Sequence, residues 1–94
     1  MPLSADAAET IAIKALGWLL SEPETLGVFM GSTGVSAEDF RANAGDSQFL
    51  GSVLDFVLMD DAWVISFCES CGIPYEHVMH ARAALPGGEQ VHWT

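Results

Sequence analysis

Four side chains with metal- and redox-capable chemistry fall between residues 68 and 80: Cys68, Cys71, His77 and His80, spelling C-x2-C-x5-H-x2-H. Tetrahedral zinc takes this ligand set, so the segment is a candidate metal site. The spacing argues against it, because Cys2His2 sites place a longer connection between the two pairs. Helical spacing puts both thiols on one apolar stripe with Val64 and Phe67, while His77 and His80 flank Val78 and Ala81. The four would have to converge past a turn filled by Ile73. Packing as small hydrophobes is the expected role of the cysteines. Redox use of "CESC" meets a separate objection. An activated thiolate wants a helix N-terminus or a cation, whereas this pair sits near a helix C-terminus beside Glu69. Metal binding or redox chemistry here is the alternative reading; the expectation is no metal and no cofactor.

Other catalytic signatures are weaker. Glu38–Asp39 and Asp60–Asp61 are paired carboxylates, but neighbours on one helix cannot face each other across a cleft, and first-turn acids serve the helix dipole. Gly31 and Gly34 lack the lysine of a phosphate loop. His77, His80 and His92 have no visible nucleophile partner. Met30, Met59 and Met79 read as core filler. No catalytic residue is assigned, and an enzyme is not expected.

The elements that must position these groups are helical. Ile11, Ala15, Trp18 and Leu19 recur at helical spacing, predicting a helix over residues 5–20. "SEPE" predicts a second start, with Ser21 as N-cap, Pro23 in the first turn and Glu24 completing a capping box. That helix runs to about Ser32 and stops near Gly34. "SAED" at 36–39 starts a third helix and Gly45 stops it. Asp46 caps a fourth, whose "FLGSVLDFVLM" is apolar on nearly every side apart from Ser52 and Asp55, and therefore belongs at the centre. Leu54, Val57 and Leu58 are expected among the least exposed residues. "DDAW" caps a fifth helix ended by Gly72. Pro74 takes the first position of a sixth, which "LPGG" at 85–88 stops, leaving residues 89–94 as a tail.

A shift of 38 residues lays the first half on the second. Leu16, Leu20, Phe29, Ser32, Gly34 and Glu38 meet Leu54, Leu58, Phe67, Ser70, Gly72 and Glu76. The fold class read from this is all-α: six short helices in two similar three-helix units, forming a single domain over residues 1–94 with its core at about 5–86. Each unit has helix-turn-helix spacing, with Gly34 or Gly72 in the turn and Phe29, Val35, Phe40 or Phe67, Ile73, Val78 at core positions.

Charge separates that spacing from DNA reading. The chain has 3 Lys+Arg against 13 Asp+Glu, a formal net charge of −10. A DNA reader needs several cations for phosphates, so nucleic acid is excluded as a partner and degenerate DNA binding is only an outsider. Anionic membrane is disfavoured for the same reason, and no apolar run approaches the ~20 residues of a membrane span. "MPLSADAAET" has no signal-peptide character, and two cysteines make no disulfide framework, so the cytoplasm is the expected compartment.

The stretches "LGWLLSEPETLGVFMGSTG" and "AGDSQFLGSVLDFVLMDD" resemble the domain-of-unknown-function 3572 family, a family of small bacterial proteins. The resemblance runs from about residue 8 to 88 and implies a small, soluble, cytosolic bacterial protein. It implies no chemistry.

Half of the residues are hydrophobic, more than so small a domain hides easily. Ile11, Ala15 and Trp18 mark one stripe of the first helix, whereas Leu16 and Leu20 claim a partly different face. One stripe is expected to meet a partner. The function expected is a protein–protein interaction or homodimerisation module, with Trp18, Trp63 and Ile65 as candidate interaction residues.

Overall fold

A computed structural model describes residues 4–85. It comprises α1 (Ala5–Leu20), α2 (Pro23–Thr33), α3 (Ala37–Asn43), α4 (Ser47–Leu58), α5 (Asp61–Cys71) and α6 (Tyr75–Ala84), with no strand among the described residues. The expected 89–94 tail, with His92 and Trp93, and residues 86–88 of the "LPGG" stop lie outside the described residues.

Local chemistry sets several helix ends. Ser4 caps α1 by accepting from the Ala7 N–H at 3.1 Å. Ser36 and Asp39 form a reciprocal capping box at the start of α3, and Asp60 accepts from the Ala62 N–H at 2.8 Å to open α5. Gly34 and Gly72 close α2 and α5 in the left-handed region, at φ 75° and 66°, where a side chain would be strained.

Two starts differ from the sequence reading. Ser21 does not cap α2; it closes α1, with its N–H bonded to the Gly17 and Trp18 carbonyls and its hydroxyl donating to Trp18 O at 2.7 Å. Those bonds hold Ser21 at helical dihedrals, so Glu22 becomes the N-cap of α2 without a side-chain bond, and Pro23 opens the helix. Pro74 is extended (ψ 144°) and acts as the N-cap of α6, one residue before the helix rather than within it.

The core is wholly apolar among the described residues. α4 contributes Phe49, Leu50, Val53, Leu54, Phe56 and Val57, and it packs on α1, α5 and α6. α1 is equally central, touching α2, α4, α5 and α6. That wrapping corrects the two-stripe expectation: Ile11, Ala15, Leu16 and Trp18 all enter one core, leaving Leu20 outside. Leu54 and Val57 are fully buried, whereas Leu58, at the end of α4, is only partly so. Phe29 holds the α2 end together by meeting Phe40, Phe49 and Phe56 at centroid distances of 5.7, 6.4 and 5.0 Å.

The 38-residue shift has a partial counterpart in the helix boundaries. α5 starts and ends 38 residues after α2, and the left-handed glycines correspond. Docking differs between the halves. α6 lies along both α1 and α4, while α3 reaches the core through Phe40 on Phe29 and Phe49.

Candidate functional site

The Cys/His segment spans the α5–α6 turn. Cys68 and Cys71 lie on the inner side of α5, partly buried against the core as free thiols. Burial pushes the Cys68 thiol above its ordinary pKa, and the neighbouring Cys71 adds to the shift. A proton held more tightly makes a poorer nucleophile and a poorer ligand. His77 and His80 are exposed on α6, beside buried Val78 and Ala81. No group of three or more His, Cys, Asp or Glu side chains is placed to hold a metal among the described residues. The motif brings four potential ligands together in sequence, but the thiols face the core and the imidazoles face outward.

The paired acids have local work. Asp39 accepts from the Ser36 N–H at 2.9 Å, and Asp60 caps α5. Their neighbours Glu38 and Asp61 are exposed in first turns, where negative charge is favourable.

Among the interaction candidates, Trp18 is in the core rather than on a partner-facing stripe. Its ring is 5% exposed, sits 6.0 Å from Phe67, and donates from Nε1 to Ser66 Oγ at 3.2 Å. The reason is that α5 covers this flank of α1. Trp63 is half-buried, stacked on Phe56 at 4.4 Å. Ile65 is exposed.

Composition alone hid two groups of surface residues. Met59 and Met79, expected as core filler, are exposed, at the α4–α5 turn and on the outer face of α6; Met30 packs against the core. Ile13, Leu20 and Val28 are also half exposed, on α1 and α2. A full helical wheel of α1 could have found Ile13 and Leu20, because both lie opposite Ala8, Ala12, Ala15 and Leu19.

Polar ties between helices were likewise missed. Arg82 of α6 clamps Asp55 of α4 in a bidentate pair, Nη2 to Oδ2 at 2.9 Å, with Asp55 about half exposed. Ser47 donates to Glu9 at 2.7 Å, tying α4 to α1. The clue was Asp55 itself, the one charged residue of α4. Arg82 is thus engaged within the fold, which removes it from the cations a phosphate could meet.

No helix among the described residues is long and apolar enough to cross a membrane. No curated protein and no solved structure matches the chain. A family described as "Protein of unknown function (DUF3572)" matches residues 5–88, the whole span from the first helix past the last. With the match covering nearly the entire helical domain, the chain belongs to the DUF3572 family.

Proposed function

We infer that the chain is a protein–protein interaction module, self-association included, without catalysis of its own. The observation that carries this reading is the set of exposed apolar side chains around a core that is already complete. Ile13, Leu20, Met59, Ile65 and Met79 are each half exposed or more, although the fold buries Phe29, Leu54 and Phe67 fully. Exposed apolar side chains that join into a contiguous patch mark a contact surface. The rest of the chemistry supports a binding role: Asp39 and Asp60 serve as caps, Cys68 holds its proton, and Arg82 is tied to Asp55.

The acidic field shapes the partner. A formal charge of −10 disfavours nucleic acid and anionic membrane, so the contact is with protein and is apolar at its centre. Light scattering over a dilution series at physiological salt tests the self-association part. A rise in mass above the 10.0 kDa of one chain supports it. A one-chain mass throughout the tens-of-micromolar range, roughly 6–7 kcal/mol of binding, argues against it.

A further inference from the structure

We propose that Cys68 and Cys71 form a redox-sensitive latch on the last turn of α5. Oxidation by a small-molecule disulfide closes them into a Cys68–Cys71 bond and loosens the turn that leads into α6.

Placement makes the pair. Cys68 and Cys71 are the two cysteines of the chain, and both lie partly buried against the core as free thiols. Residues three apart on a helix share a face. Their Cα atoms lie about 5 Å apart by helix geometry, inside the roughly 4.4–6.8 Å that a disulfide spans. The two groups also sense each other, since Cys71 adds to the raised pKa of Cys68. The helix C-terminus and Glu69 disfavour an activated thiolate and so argue against rapid redox catalysis. A bond formed by slow exchange needs only two thiols held together.

The turn beyond the pair hangs on one carbonyl. Cys68 O accepts from the Gly72 N–H and from the Ile73 N–H, the latter at 3.1 Å, with Gly72 in the left-handed region. Ile73 packs against the core, and α6 beyond it, lying on α1 and α4, buries Val78 and Ala81. Such a stop does not itself call for thiols. α2 ends the same way at Gly34, whose N–H donates to Met30 O at 2.9 Å, with Met30 and Thr33 where α5 has Cys68 and Cys71.

Closing the bond disturbs this turn. Side chains three apart on a helix have Cβ atoms about 5–6 Å apart, whereas a disulfide holds them at about 3.5–4.5 Å. Oxidation therefore draws the two Cβ atoms together by about 1–2 Å, at the helix end where the backbone has least to hold it. The two bonds to Cys68 O yield first. A disulfide closed against helical geometry is readily reduced, so the step is reversible.

The chemistry is thiol–disulfide exchange. Burial holds the proton on Cys68, so the first attack falls to Cys71. Its thiolate attacks one sulfur of the small disulfide and displaces the first small thiol. Cys68 then gives up its proton, attacks the Cys71 sulfur and displaces the second. Two protein S–H bonds are lost, one S–S bond forms, and the two electrons and two protons leave on two small thiols.

The test uses the full chain of natural sequence, equilibrated with glutathione and glutathione disulfide over a series of ratios. Acid quenching, alkylation and mass spectrometry count the free thiols and any bound glutathione. The two thiols are expected to disappear together, with the internal bond at least about tenfold more abundant than glutathione adducts. The Cys68→Ser and Cys71→Ser variants are expected to take up one glutathione each instead. Glutathione adducts or chain-to-chain links as the main product of the natural chain would overturn the pair. Hydrogen exchange then reads the turn: the Gly72 and Ile73 amides are expected to exchange at least about tenfold faster in the oxidised chain, with protection restored by reduction. Unchanged protection in the oxidised chain would overturn the latch.

Discussion

Glycine plays two opposite parts among these residues. Gly34 and Gly72 sit at φ 75° and 66°, and replacing either by alanine is expected to cost about 1 kcal/mol or more. Gly27 has ordinary helical backbone within α2 and open space beyond its Cα, so Gly27→Ala is expected to stabilise by about 0.4–1 kcal/mol. Urea denaturation of the three variants checks both signs. Cys68 supplies a second prediction at this scale. Its folded pKa is raised, so at neutral pH the thiol stays protonated and reacts with iodoacetamide more slowly than free cysteine. The sign of the linkage follows: a raised folded pKa contributes stability that is present below the unfolded value and is lost as pH rises through the folded one. A faster rate than free cysteine at neutral pH would contradict the packing role. Metal analysis of protein purified without chelator is expected to give far less than one zinc per chain; stoichiometric zinc lost on Cys71→Ser would restore the alternative reading of Cys68, Cys71, His77 and His80.

The helices show what sequence makes legible and what it does not. The first helix was readable over 5–20 because its apolar spacing is local, and the two left-handed glycines were readable because no other residue sits comfortably there. Ser21 misled because a serine before Pro-Glu caps well in isolation, whereas here its bonds go backward to α1. Trp18 misled for a longer-range reason: only the position of α5, with Ser66 in place to accept its N–H, decides that its flank of α1 is inside. The Asp55–Arg82 clamp joins residues 27 apart and is invisible to any local pattern. α4 packs on α1, α5 and α6, and Leu54, fully buried within it, is the most direct probe. Leu54→Ala is expected to cost about 2–5 kcal/mol in chemical denaturation, because the cavity left behind is walled by rigid helices. Loss of less than about 1 kcal/mol would mean that the core relaxes around the site and that α4 is not its centre.

For the whole molecule, charge and apolar surface pull in different directions. A net charge of −10 repels polyanions, so generic duplex DNA is expected not to shift in a gel at moderate salt; micromolar, salt-sensitive binding would revive the two turn units as readers. The same charge opposes two copies of the chain, which confines any contact between them to a patch that is apolar at its centre with carboxylates at the rim. Salt is therefore expected to tighten self-association from low to physiological ionic strength, as the screening length shortens to about 8 Å. Sedimentation velocity of the natural chain across a concentration series at physiological salt is the most direct measurement of the central claim. The interaction reading with a second copy predicts a mass moving from 10.0 kDa toward twice that value as concentration rises. A single 10.0 kDa species at every concentration up to hundreds of micromolar, a range reaching about 5 kcal/mol of binding, would contradict it.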